Sequence, residues 1–223
     1  MRHIAIGDIH GEITLLKSLL KDLNVNFKTD KLIFLGDYID RGENSYEVVK
    51  YVRALQRKHP TKVICLKGNH EDLFLNDVAL WRLNGGTKTE NDYRANCESN
   101  KEFKDRVKWF ESLPLYYETK NNVFVHGGID PSVSLAEQNS HYMMWAREDY
   151  LYDDRKFDKK VISGHTPSMV IIDKDCVRPY ETLGGNYVID TGACFGGCLT
   201  ACIIENGKYN FISVRNGEEN NIE

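Results

Sequence analysis

Three short apolar runs in the first seventy residues each end in glycine and are followed at once by an oxygen-bearing metal-type ligand. They are His3-Ile4-Ala5-Ile6-Gly7 before Asp8, Leu32-Ile33-Phe34-Leu35-Gly36 before Asp37, and Val63-Ile64-Cys65-Leu66-Lys67-Gly68 before Asn69. A second polar group stands close behind each: His10, Asp40 with Arg41, and His70. His126, ahead of Gly127-Gly128, and His165, after Gly164, each close a later apolar run. Strands ending in such groups point to a parallel sheet with a polar site at its carboxyl edge.

Read as ligands, Asp8, His10 and Asp37 would hold one cation, and Asp37, Asn69, His126 and His165 a second. A carboxylate has two oxygens, so Asp37 can belong to both sets. Mixed oxygen and imidazole donors suit Mn²⁺, Fe or Zn²⁺ better than Ca²⁺. Two divalent ions bring four positive charges and the two aspartates return two, which leaves a site matched to a phosphate dianion. Water bridging ions roughly 3.5–4 Å apart becomes a hydroxide nucleophile able to attack phosphorus in line.

The leaving alkoxide needs a proton. His70, next to a ligand without being required as one, is the candidate acid, and Asp40 is expected to orient it and hold it protonated. Arg41 and Arg147 are candidates for the remaining phosphate oxygens. Taken singly these fragments are weak. A Gly-Asp pair is commonly a turn, His-Gly-Gly a loop, and Arg147 a surface ion pair. The ordered set carries the chemistry: four of seven histidines stand at motif positions, leaving His3, His59 and His141 to structural or surface places.

The elements that must position these groups follow from periodicity. Ile13, Leu16, Leu19, Leu20 and Leu23 recur at helical steps after Gly11. The second strand is expected near 31–36, then a helix starting at Ser45 with Val48, Val49, Val52 and Leu55 on one face, then a third strand near 62–67. The order β-α-β-α-β-α implies parallel strands and right-handed crossovers. Residues 82–112 open on Asn84-Gly85-Gly86 and turn polar; they read as a helical insertion on the rim, with a substrate-facing lid as the sharper alternative. Strand character returns at 122–126, 161–164, 187–190, 199–204 and 209–214, which implies a second, mixed sheet. One domain over 1–215 and an acidic, disordered tail over 216–223 complete the expectation.

Composition bounds the partners. The chain of 223 residues is 41% hydrophobic and 28% charged, with a formal net charge of -4. No basic stripe suggests nucleic acid, and no apolar stretch reaches membrane-spanning length. With no signal-like start, the six cysteines are expected to be reduced thiols and the protein cytoplasmic. Cys194, Cys198 and Cys202, spaced by four, would share one face of a strand, as small buried hydrophobes rather than a soft-metal site.

Gly7-Asp8-Ile9-His10-Gly11, Gly36-Asp37-Tyr38-Ile39-Asp40-Arg41-Gly42 and Gly68-Asn69-His70-Glu71 resemble the three signature motifs of the PPP-type serine/threonine protein phosphatases, members of the calcineurin-like metallophosphoesterases. His126-Gly127-Gly128 and Gly164-His165-Thr166 are similar to the family's two later histidine motifs. The resemblance spans residues 7 to about 192. It implies an α/β fold with a two-sheet mixed β-sandwich flanked by helices. It also implies a dinuclear metal centre, with Mn²⁺ favoured, and the roles given above to Asp40, His70, Arg41 and Arg147.

Ile189-Asp190-Thr191-Gly192-Ala193 departs from the eukaryotic members and resembles the compact bacterial and phage enzymes. Regulatory-subunit binding is therefore not carried over, and phosphotyrosine joins phosphoserine and phosphothreonine as an expected substrate. The expected partner is a phosphorylated protein or a small phosphoester. Two alternatives stay open: a bis(5'-nucleosyl)-tetraphosphatase on the same centre and, more distantly, an inactive metal-binding scaffold.

Overall fold

The computed structural model describes residues 1–216. Apart from Asn216, the expected tail over 216–223 lies outside the described residues. Two five-stranded mixed sheets face each other. The first runs β10-β9-β1-β2-β3, from β1 (His3–Ile6), β2 (Lys31–Phe34), β3 (Val63–Cys65), β9 (Leu199–Glu205) and β10 (Lys208–Val214). The second runs β4-β5-β6-β8-β7, from β4 (Tyr116–Glu118), β5 (Asn122–Val125), β6 (Lys160–Ser163), β7 (Tyr180–Glu181) and β8 (Tyr187–Val188). Strands β1, β2 and β3 are parallel, as are β5, β6 and β8; β9, β10, β4 and β7 pair antiparallel with their neighbours.

Strand alternation assigns the side chains. Ile4, Ile6, Leu32 and Phe34 face outward onto α1 (Ile13–Leu23) and α2 (Ser45–Lys58), joining Leu16, Leu19, Val48, Val49 and Val52. Ala5 and Ile33 face inward and meet Phe124, Ile162 and Ile189 of the other sheet, with Cys202 and Ile204. Val123, Val125, Val161 and Val188 form a third layer against Met143 of α7 (Ser140–Trp145), Tyr150 and Leu151. Strands buried on both faces have no polar side to show, so their sequences are continuous apolar runs.

Between β3 and β4 lie α3 (Asn69–Asn76), α4 (Val78–Trp81), α5 (Thr87–Asn96) and α6 (Asn100–Ser112). The helical path kinks at Gly85, whose φ of 104° only glycine tolerates well. Residues 87–96 and 100–112 are helical, and Thr89 of α5 and Trp81 of α4 both hydrogen-bond the Asp40 carboxylate.

Several expectations need correction. Strands β4 and β7 were not foreseen, because three- and two-residue edge strands carry no readable periodicity. Helix α2 does begin at Ser45, as expected, and the Ser45 hydroxyl accepts the backbone N–H of Asp40 at 3.0 Å. Cys194 lies in a 3-10 turn and Cys198 in the following loop, so only Cys202 is on a strand and the three share no face. Among the described residues no helix is long and apolar enough to cross a membrane.

Candidate active site

Each expected ligand follows the carboxyl end of one of the parallel strands: Asp8 and His10 after β1, Asp37 after β2, Asn69 after β3, His126 after β5 and His165 after β6. The glycines make room. A Cβ at Gly68 would run into Asp37 Oδ1, and one at Gly164 into Asp8 Oδ1. Five site residues have left-handed backbones: His10, Asp37, Asp40, Arg41 and His165, with φ from 44° to 74°. Such strain is held only where the surroundings over-determine it, and it clusters at functional sites.

The structure gathers two donor groups that share Asp37: His10, Asp37 and His70, and Asp37, His126 and His165. Within each, the ligand atoms lie within 4.8 Å of one another. His10 Nε2 is 3.3 Å from Asp37 Oδ2, and His126 Nε2 is 3.4 Å from Asp37 Oδ1. Asn69 Oδ1 lies 2.9 Å from His126 Nε2 and 2.8 Å from His165 Nδ1. Asp8 does not enter either group; its carboxylate accepts the backbone N–H of His165, 3.1 Å from both oxygens. Conversely, the geometry groups His70 with ligands, where the sequence reading kept it outside them.

The protonation states fit cations. His10 Nδ1–H donates to the Ile39 carbonyl at 2.7 Å and His126 Nδ1–H to the Leu35 carbonyl at 3.0 Å, which turns each Nε2 lone pair inward. Burial lowers the pKa of His126 to about 4 and that of His165 well below its ordinary value. Lone pairs of His126 Nε2, Asn69 Oδ1 and Asp37 Oδ1 therefore converge with no donor between them. The buried Nε2 atoms of His70 and His165 have no hydrogen-bond partner. Burial pushes Asp8 well above the carboxylate range, and the negative charges of Asp190 and Asp37 add to it. Burial opposes the charge of Asp37 too, but His126, His70 and His10 together hold its carboxyl well below that range. Converging acceptors, orphaned imidazole nitrogens and crowded carboxylates are the donor chemistry that divalent cations satisfy.

His70 Nδ1–H donates to Asp40 Oδ2 at 2.7 Å, and its Nε2 stands 4.0 Å from Asp37 Oδ2. Burial lowers its pKa from the ordinary value, against the raising effect of Asp37 and of the hydrogen bond to Asp40. Arg41 Nη1 donates to His10 Nε2 at 2.6 Å, a cation occupying that lone pair. Arg147 makes no ion pair among the described residues. Its guanidinium donates to Thr166 Oγ1 at 3.1 Å, beside His165, in the field of Asp8, Asp190 and Asp37.

Sequence reasoning missed Asp190, Glu71, Trp81 and Thr89. Asp190 follows β8 as Asp37 follows β2, and the run Tyr187-Val188-Ile189 ahead of it was the available signal. Glu71 entered the sequence reading only as the last residue of the third motif, with no role of its own. Its carboxylate accepts the backbone N–H groups of Gly68, Asp37 and Tyr38 at 3.0, 3.0 and 2.9 Å, tying the second motif to the third.

The model of the family described as calcineurin-like phosphoesterase matches residues 1–191. The chain belongs to this family. Among calcineurin-like phosphoesterases, it is 28% identical to serine/threonine-protein phosphatase 1 of Salmonella typhimurium, over 92% of this chain and 93% of that one. It is 30% identical to the symmetrical bis(5'-nucleosyl)-tetraphosphatase of Pseudomonas fluorescens, over 71% of this chain and 52% of that one, and so spans about half of the longer relative. A protein serine/threonine phosphatase from Saccharomyces cerevisiae shares the fold, with a TM-score of 0.73, 17% identity, and coverage of 100% of this chain and 82% of that one.

Proposed function

We propose that this calcineurin-like phosphoesterase is a divalent-metal-dependent protein phosphatase. It would hydrolyse phosphoserine and phosphothreonine monoesters, with phosphotyrosine also accepted, by direct transfer of the phosphoryl group to water. One arrangement carries the reading: Asp37 is shared by two sets of imidazoles, and the His70–Asp40 pair stands beside it. Asp8, His10 and Asp37 are assigned to one cation, and Asp37, Asn69, His126 and His165 to the other, Mn²⁺ first and Fe or Zn²⁺ next. Such a pair supplies positive charge for phosphate oxygens and lowers the pKa of water towards neutrality.

The chain's own groups do the rest. Arg41 and Arg147 grip the remaining phosphate oxygens from the solvent side. His70 holds its Nδ1–H on Asp40, so Nε2 is the atom that takes up and delivers a proton. A phosphate dianion arriving beside it raises its proton affinity, and Asp40 stabilises the imidazolium that forms. No disulfide joins the described cysteines.

Full-length likeness to a serine/threonine-protein phosphatase supports the monoester reading. The 30% identity to a symmetrical bis(5'-nucleosyl)-tetraphosphatase supports a second one on the same centre. Turnover of a phosphopeptide and of a dinucleoside tetraphosphate, each with and without Mn²⁺, separates them. Metal-dependent phosphopeptide hydrolysis is expected; cleavage of the nucleotide alone would overturn the phosphatase reading.

A further inference from the structure

We infer that Trp81 and Thr89 are positioning residues that aim His70 by clamping Asp40, an inference that rests on the proposed role of His70. Asp40 is fully buried, and its two oxygens have four donor contacts. Trp81 Nε1–H lies 2.9 Å from both oxygens, Thr89 Oγ1–H donates to Oδ1 at 2.7 Å, and His70 Nδ1–H donates to Oδ2 at 2.7 Å. Three of the four contacts come from residues other than His70, and they fix the plane of the carboxylate before His70 meets it.

The clamp also holds the backbone. Asp40 has φ of 74°, an uncommon conformation for a side-chain-bearing residue, and its N–H is shared between Thr89 Oγ1 at 2.8 Å and Ser45 Oγ at 3.0 Å. Thr89 gives its one hydroxyl proton to Asp40, so Ser45, 2.9 Å away, donates to Thr89. Every lone pair and proton of the Thr89 hydroxyl is then in use, and a methyl group in its place removes all three bonds.

Beyond the kink at Gly85 the start of α5 lies against Trp81: a Cβ at Gly86 would run into the indole. The segment between β3 and β4 is thereby the back wall of the proton-transfer pair. A misplacement of about 1 Å in a catalytic group can cost on the order of a hundredfold in rate.

The test compares T89V, T89S, W81F and H70N with the wild-type holoenzyme on two substrates. Phenyl phosphate has a poor leaving group that needs a proton; p-nitrophenyl phosphate has a good one that needs it less. T89V and W81F are expected to lower kcat for phenyl phosphate about tenfold and for p-nitrophenyl phosphate about twofold, with KM and bound metal per chain unchanged. T89S restores most of the loss.

A second readout uses metal-free protein. The His70 Nδ1 proton, identified by its disappearance from the NMR spectrum of H70N, is expected downfield and slow to exchange in wild type, and broadened by exchange in T89V. Equal losses on both substrates, or wild-type kinetics together with an unchanged resonance in both T89V and W81F, would overturn the inference. If H70N itself lacks the leaving-group dependence, the role of His70 falls and the clamp with it; if H70N shows it and T89V and W81F do not, the clamp alone falls.

Discussion

The carboxylate of Glu71 accepts the backbone N–H of Asp37 at 3.0 Å, so the shared aspartate is held by an acid on the helix that follows the next strand. The same carboxylate binds the N–H groups of Tyr38 and Gly68. Replacing one oxygen by an NH₂ group sets a donor against a buried N–H. Glu71→Gln is expected to cost about 1–3 kcal/mol of stability, the penalty of an unsatisfied buried donor. Urea denaturation measures it, and a change within about 0.5 kcal/mol would show that the loops hold themselves.

Glu71 also sets a pH dependence. Burial, with Asp37 nearby, raises its pKa from the ordinary 4.5 to about 8. A raised folded-state value means the native state binds more protons than the unfolded chain between those limits, so stability falls as pH rises. Below about pH 6.5 the buried histidines His70, His126 and His165, whose pKa values are lowered, act in the opposite sense, so metal-free protein is expected to lose thermal stability from about pH 6.5 through about pH 8, Asp8 adding in the same direction as Glu71. Melting temperatures across that range in chelator check it; a rise towards pH 8 would contradict the assignment.

His70→Asn separates acid from ligand. The proposal expects kcat to drop about a hundredfold or more while bound metal per chain stays constant. His70 also lies within reach of a cation held by His10 and Asp37. Loss of metal in this variant, measured by elemental analysis, would make it a ligand instead.

Arg147→Ala is expected to raise KM about tenfold and to lower kcat less, because the guanidinium would grip phosphate in ground and transition states alike. The structure gives it Thr166 rather than a carboxylate to lose, so stability should be nearly unchanged. Steady-state kinetics and a melting curve together decide. An unchanged KM would return Arg147 to the surface.

The three strand–glycine–ligand runs made the parallel half of the first sheet legible, because doubly buried strands must be apolar throughout and end where polarity begins. The positions of His10, Asp37, Asn69, His126 and His165 beyond strand ends were legible for the same reason, whereas Asp8, read in the same way, enters neither donor group. Asp190 obeys that grammar but was passed over, since a two-residue β8 gives it little introduction. Trp81 and Thr89 could not be read at all. Trp81 closes the short apolar run Val78-Ala79-Leu80-Trp81 and Thr89 lies in a polar helix, and their shared partnership with Asp40 exists only in the folded chain, on either side of the kink at Gly85. The balance at His70 was likewise hidden, because burial, which a sequence does not state, outweighs the neighbouring carboxylates.

The most direct measurement is anomalous X-ray diffraction from crystals grown with Mn²⁺. The account expects two peaks roughly 3.5–4 Å apart, one on either side of the Asp37 carboxylate. A single peak, or peaks that do not share Asp37, would contradict it.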